Sequence, residues 1–435
     1  MFSMGNNPKI LVLSSCSPSL GPAIIGEQIY LALKQKGLDV DFMTKYPEPN
    51  HPEYLWVVKK DFDRKLWVRI RRKILWRLAG VWKQVPGYCF FYTWEKYPPV
   101  PSQYVVDAIK KRYDLVIVVF WQTLLSFETI ERIFDKLHCQ FQFTGVDYSQ
   151  MSGGCHFTGD CQKYKTGCGE CPAVHSNNKN DFTAWNVRYR KLVYEKVRPI
   201  VYGNLYMHDF YRESYLLRNA RCELLPSAII DTELFKPMPA DQLRMKYTIP
   251  SEKTKLIFFA CQNLEDERKG FSYLIESFGI LKMRLGTKSK EVLIVTAGKS
   301  FEKIKERIPF DSIGFGYVPM NELPELYSVA TLFICPSVND AGPMMVNQSL
   351  CCGTPVVGFD MGAVKQVVKD KGTGICVPLR DTQALADGML SILQMSSEEY
   401  QRMSQRAREV ALQTSSYEAQ ANRILSIYKK YKAQV

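Results

Sequence analysis

The chain has 435 residues, 46% hydrophobic and 23% charged, a balance that excludes a disordered or low-complexity protein and leaves room for two domains. A net charge of +13 calls for an anionic partner such as phosphate or acidic lipid, and no nucleic-acid reading motif accompanies it. The opening MFSMGNNPKILVLSS is too polar for a secretory signal, and no apolar run reaches the ~18–20 residues of a membrane span. A cytoplasmic chain, peripheral at most on the inner face of a membrane, is therefore expected.

In chain order, the apolar run Ile10–Ser14 predicts a strand, the pattern Ile25–Gln35 a helix, and Val40–Met43 a second strand. The stretch from Lys59 to Lys83 interrupts this alternation with ten basic and two acidic residues, so it carries +8 of the +13. Trp67, Ile70, Ile74, Leu78 and Trp82 recur there at helical steps, with Arg64, Arg69, Arg72, Lys73 and Arg77 mostly elsewhere on the wheel. Two readings stay open: a helix lying on an anionic membrane surface, or a core-facing helix with a solvated basic face. Asp61-Phe62-Asp63 matches a metal-binding triplet only superficially, because it sits within this basic stretch.

The all-apolar run Leu115–Phe120 suits a strand buried on both faces, and further strands are predicted near Phe141–Thr144, Pro199–Tyr202 and Glu223–Leu225. Between them Cys155, Cys161, Cys168 and Cys171 follow the spacing C-x5-C-x6-C-x2-C. Four thiolates suit tetrahedral zinc; packed reduced thiols or disulfides fit the same spacing. The chain has 13 cysteines, an odd number, and Cys335, Cys351, Cys352 and Cys376 lie in apolar runs, so these read as reduced and buried.

Phe235–Lys253, polar and proline-containing, reads as the junction between a domain over 1–240 and one over 241–414. The second half repeats the scheme. Strands are predicted at Leu256–Ala260, Val292–Thr296, Thr331–Cys335 and Pro355–Gly358, with a helix from Phe271. A last helix, Tyr417–Tyr431, belongs to a tail over 415–435 expected to pack back on the first domain. Strands alternating with helices specify parallel sheets, and ligands of such sheets gather at the carboxyl ends of the strands. In CPSVNDAGPMMVNQSLCCGTPVVGFDMG, a strand ends at Cys335, a loop carries Asp340 and Gly342, and a helix opens at Pro343. Free amides at such a helix start suit a phosphate.

The same stretch resembles the donor-site motif of glycosyltransferase family 4, whose fold is GT-B: two Rossmann-like α/β domains facing a cleft. Cys352–Val357 keeps the family's CGTPVV, while Asp340 and Gln348 stand at the spacing of its two glutamates. FFACQNLEDERKGFSYLIESFGILK resembles its phosphate-binding segment, with Lys269 as the lysine and Arg268 in place of an arginine normally several residues earlier. ELPELYSVATLFICPS matches the approach to the donor loop, and KILVLSSCSPSLGPAIIGEQIYLALKQKGLDVDF resembles the first βα unit, of whose paired glycines only Gly21 carries over. TGVDYSQMSGGCHFTGDCQKYKTGCGECP resembles a cysteine-cluster subgroup of polysaccharide-biosynthesis members, with Val146 where that subgroup has histidine, Asp147 retained and His156 following.

The resemblance implies a retaining, nucleotide-sugar-dependent transferase that moves a sugar to a hydroxyl acceptor, and the membrane-like stretch Lys59 to Lys83 points to a lipid-linked saccharide in surface polysaccharide assembly as that acceptor. No metal is implied at the donor. Lys269, Arg268, Asp340 and Asp147 form the implied catalytic set. Gly21, Gly342, Pro343, Met344, Met345 and Gln348 would contact the donor, Gln348 through ribose hydroxyls. A nucleotide-sugar epimerase and a silent nucleotide-sugar binder are the alternatives. A nicotinamide enzyme is disfavoured, because no Gly-x-Gly-x-x-Gly follows Ser14.

Overall fold

A computed structural model of the chain describes residues 7–15, 24–85, 88, 90, 93–145, 147–225 and 228–434. It divides into two compact units, Met1–Leu225 with Gln420–Val435, and Pro226–Ala419.

The first unit is built on seven strands: β1 Ile10–Ser14, β2 Val40–Thr44, β3 Leu55–Trp56, β4 Leu115–Val119, β5 Gln140–Thr144, β6 Ile200–Gly203 and β7 Arg221–Leu224. Their order is β3-β2-β1-β4-β5-β6-β7, and all pairings are parallel. ILVLS of β1 and LVIVV of β4 are wholly buried, which is why they read as unbroken apolar runs rather than alternating ones. Ile10 pairs with both Val40 and Leu115, so β1 lies where the strand order reverses. The last helix, Tyr417–Tyr431, rests its carboxyl end on this unit. Gln140 donates to the Tyr428 carbonyl, and Glu223 receives Lys430 and the Tyr431 hydroxyl.

The second unit has six strands: β8 Lys255–Asn263, β9 Val292–Lys299, β10 Asp311–Gly314, β11 Leu332–Cys335, β12 Val356–Phe359 and β13 Gly374–Val377. The order β10-β9-β8-β11-β12-β13 is again parallel and reverses between β8 and β11. Each unit is thus Rossmann-like, with a switch point beside its first strand.

The division falls at Leu225 rather than within Phe235–Lys253. Ile230, Phe235 and Leu243 are buried in the second unit's core with Leu256, Phe258 and Tyr327, and Ala240–Lys246 is a helix. The polar composition that suggested a linker is shared between that helix's outer face and the exposed residues flanking it. No helix among the described residues is long and apolar enough to cross a membrane.

Candidate functional site

The residues singled out in the second unit converge at its switch point. Beyond β8, Asp266 caps a short turn, Glu267–Lys269, by accepting from the Arg268 amide at 3.1 Å. Beyond β11, the Val338 amide donates to the Arg268 carbonyl at 2.8 Å, tying the two loops together. Gly270 makes this approach possible. Its φ is +74°, and a Cβ there would lie 1.8 Å from the Pro336 carbonyl oxygen. The Lys269 ammonium can then reach across to pair with Asp340.

Burial by itself would raise the Asp340 carboxyl, but Lys269, the Gly342 amide at 3.1 Å and Arg268 hold it below the usual carboxylate range. Burial likewise disfavours the Lys269 ammonium, and Asp340 outweighs it and raises the pKa. Both groups are charged at neutral pH. The side chains remain 24% and 15% exposed, so solvent and small ions can reach the pair. Arg268 also pairs with Asp266 at 2.6 Å.

Pro343 precedes the helix Met344–Cys351, and no side chain caps its start. The Met344 and Met345 amides have no intrahelical acceptor and carry the positive end of the helix dipole. Gly362, with φ +50°, backs this loop: a Cβ there would lie 2.9 Å from Pro343 Cδ and 3.1 Å from the Asp340 carbonyl oxygen. Gln348 lies deeper than the resemblance implied. It is 2% exposed, its Oε1 accepts from the Tyr327 hydroxyl at 3.1 Å, and its Nε2 lies 3.2 Å from Met320 Sδ. As placed, it joins this helix to the core instead of presenting its amide to a ribose.

In the first unit, Asp147 follows β5 and is 1% exposed. Its Oδ2 takes Gln122 Nε2 at 2.6 Å and His156 Nδ1 at 2.8 Å; its Oδ1 takes the Ser149 amide at 2.7 Å and the Ser149 hydroxyl. Burial pushes this carboxyl up, but His156 and Ser149 outweigh it and hold it below the usual range. Both Asp147 oxygens are therefore occupied within the unit, one by Gln122 and His156 and the other by Ser149. Sequence reading missed the brace behind it. Arg190, wholly buried, bonds Glu95 and donates to the Ser152 carbonyl at 2.6 Å and to the Ser149 carbonyl. No local pattern marks Arg190, because its partner Glu95 lies 95 residues away. Gly21 and Val146 lie outside the described residues. Asp63 of the discounted triplet is taken by Lys45 at 2.8 Å and by the Tyr46 hydroxyl.

Cys155, Cys161, Cys168 and Cys171 line one cavity of about 20 Å³ with Lys163, Tyr164 and Thr183. All four are free thiols. Burial pushes Cys155, Cys168 and Cys171 up to about 12. Among the described residues no three Cys, His, Asp or Glu side chains are arranged to hold a metal ion. The spacing thus brings the four sulfurs together around one small cavity.

Residues 241–410 match the family model described as glycosyl transferases group 1. The chain is 30% identical over 122 residues to alpha-maltose-1-phosphate synthase of Mycolicibacterium smegmatis, covering 27% of this chain and 31% of that enzyme. It is 23% identical over 212 residues to D-inositol 3-phosphate glycosyltransferase of Saccharomonospora viridis, covering 46% and 48%. The chain thus spans about half the length, or less, of these curated relatives. Among solved structures, sucrose-phosphate synthase from Thermosynechococcus elongatus superposes with a TM-score of 0.65 at 16% identity, over 98% of this chain and 100% of that one. Anabaena Alr3699/HepE in complex with UDP-glucose gives 0.62 at 12% identity, over 98% and 100%. The chain therefore has the two-domain α/β GT-B fold, and its residues 241–410 are similar to the glycosyl transferases of group 1.

Proposed function

We propose that the chain transfers a glycosyl group from a nucleoside-diphosphate sugar to a hydroxyl acceptor. The observation that carries this reading is the solvent-reachable Lys269–Asp340 pair beside an uncapped helix start, at the switch point of the second unit. A donor diphosphate would compete with Asp340 for Lys269 and take the Met344 and Met345 amides, with Arg268 nearby. Cations and amides that meet charge growing on the leaving group contribute a large share of transferase catalysis. In the step, the bond from the anomeric carbon to the diphosphate oxygen breaks and its electron pair leaves with the diphosphate. The acceptor oxygen bonds that carbon and passes its proton to the departing diphosphate oxygen. Asp340, freed from Lys269, would meet sugar hydroxyls.

Retention at the anomeric carbon and transfer without a metal complete the proposal from the family resemblance, and a lipid-linked saccharide acceptor is added from the basic amphipathic stretch Lys59 to Lys83. His156, held by Asp147, is assigned to orienting the reacting sugar. Relatives named for glycolipid and polysaccharide synthesis support the substrate class; they include a GDP-mannose-dependent phosphatidylinositol monomannoside mannosyltransferase of Mycobacterium tuberculosis and an O-antigen chain mannosyltransferase of Escherichia coli. Structures of Anabaena Alr3699/HepE with UDP and UDP-glucose support a nucleotide-sugar donor. A thermal-shift screen over nucleotide sugars, followed by nucleotide release with a saccharide acceptor, tests the reading. Stabilisation by a donor without nucleotide release would favour a silent binder, a second reading supported by Val146 and Gln348, which stand where the family has histidine and glutamate.

The four cysteines are proposed to be reduced structural thiols. Metal analysis of untagged protein should give a ratio near zero, and one zinc per chain would overturn this.

A further inference from the structure

The helix Leu66–Leu78 and the turn Val81–Lys83 carry an apolar face that the fold leaves uncovered. Leu66, Trp67, Ile70, Ile74, Leu78 and Trp82 are between 46% and 71% exposed, and Val68 is the one buried residue of the helix. The core-facing alternative is thereby excluded. The helix is nevertheless firmly held from its other side. Arg71 donates to the Pro98 carbonyl at 2.8 Å and Trp94 to the Leu75 carbonyl at 3.3 Å. Ala79 and Val81 are buried with Phe90, Cys155, Cys171 and Phe182, and Trp76 packs against them. The exposed face is therefore a rigid platform rather than a frayed segment.

We propose that this face docks, in the plane of the interface, on a bilayer carrying anionic lipid. Leu66, Ile70 and Ile74 form one row at four-residue steps, flanked by Trp67 and Leu78. Arg69, Lys73 and Arg77 form the adjoining row and make no ion pair among the described residues. The helix contains no acidic residue. Lys83 lies 4.9 Å above the Trp82 ring, extending the cationic edge past the helix end. An apolar stripe beside a cationic one, with tryptophan at its ends, matches the layering of acyl chains under acidic headgroups. A second copy is a poor occupant, because a symmetric pairing of this face would oppose two cationic rows. The inference goes beyond the donor site and does not depend on it.

The test uses the full chain in sedimentation with phosphatidylcholine vesicles and with mixed phosphatidylcholine–phosphatidylglycerol vesicles. Two variants accompany it, Arg69→Gln/Lys73→Gln/Arg77→Gln and Ile70→Ser/Ile74→Ser/Leu78→Ser. All six positions are exposed, so both variants should melt like the parent. The parent should pellet with the mixed vesicles only, with a blue shift in tryptophan emission. At about 1 kcal/mol for each cation near the surface, the glutamine variant should partition roughly 100-fold more weakly. The serine variant should lose both binding and the shift. Absence of pelleting would overturn the proposal, as would binding unaffected by either variant. So would a dimer that the serine variant abolishes in the absence of vesicle binding. Titration of nucleoside diphosphate into the same samples keeps a failure of docking distinct from a failure of the donor site.

Discussion

Asp340 and Asp147 are both carboxylates held below their usual pKa by a basic partner, just beyond the carboxyl end of a parallel sheet. Their surroundings differ in the way that matters for ligands. Asp147 is sealed, with Gln122, Ser149 and His156 occupying its oxygens and Arg190 bracing the segment behind it. Asp340 has one ammonium and one amide, some exposure, and an uncapped helix start beside it. A saturated carboxylate can hold a neighbour in place but has nothing to offer a ligand. A sparsely held ion pair can exchange one partner for another. Asp147 is thus fixed inside the first unit, whereas the Lys269–Asp340 pair of the second unit stays partly open to solvent.

The largest effect should come from Lys269→Ala. Removing a group that meets charge in the transition state costs about 10²–10³ in rate, so transfer should fall by at least that while circular dichroism stays unchanged. Full activity would refute the assignment. Gly270→Ala comes next. It forces a Cβ against the Pro336 carbonyl at a positive φ, so a loss of roughly 3 kcal/mol in stability is expected, together with weaker donor binding. Unchanged denaturant midpoint and donor affinity would contradict the loop geometry.

Asp147→Asn should cost about 1–3 kcal/mol, because His156 and Ser149 lose a charged acceptor. The pH dependence has a definite sign. A carboxyl whose folded pKa is depressed stabilises the fold above its unfolded value of about 3.9, and the contribution disappears as pH falls through the folded value. The variant should therefore lose less stability than the parent below about pH 4. Parallel acid-melting curves would count against this account. The smallest effect is that of Tyr327→Phe. It strips Gln348 Oε1 of its donor and should lower stability by about 1–2 kcal/mol with little change in donor affinity. A large loss of donor binding instead would restore Gln348 to the donor site.

What the sequence disclosed follows from the range of the forces involved. The strands β1 and β4 and the first half of β9 are apolar runs, legible without any partner. Leu55–Trp56, Asp311–Gly314 and Gly374–Val377 are short and partly exposed, and they escaped notice for that reason. The helix Phe182–Val197 was hidden because Asn186 and Arg190 break its apolar face. Their partners are the Glu95 amide and side chain and the Thr93 and Gly153 carbonyls, all distant in sequence. At the loops after β8 and β11, motif order was enough to bring Lys269, Arg268, Asp340 and Gly342 together. It could not reveal that Gln348 turns inward, since that depends on Tyr327 and Met320 from other segments. Nor could spacing show that the four cysteines share one cavity with Lys163, Tyr164 and Thr183.

The central claim is that the Lys269–Asp340 corner holds a nucleoside diphosphate. Calorimetric titration of UDP, GDP and ADP sugars into the parent and into Lys269→Ala tests it most directly. The parent should bind one donor class, and Lys269→Ala should bind that donor at least about tenfold more weakly, as expected for loss of one charge-assisted contact worth ~1.5–3 kcal/mol. Equal affinity in the two proteins, or no binding of any nucleotide sugar by the parent, would contradict it.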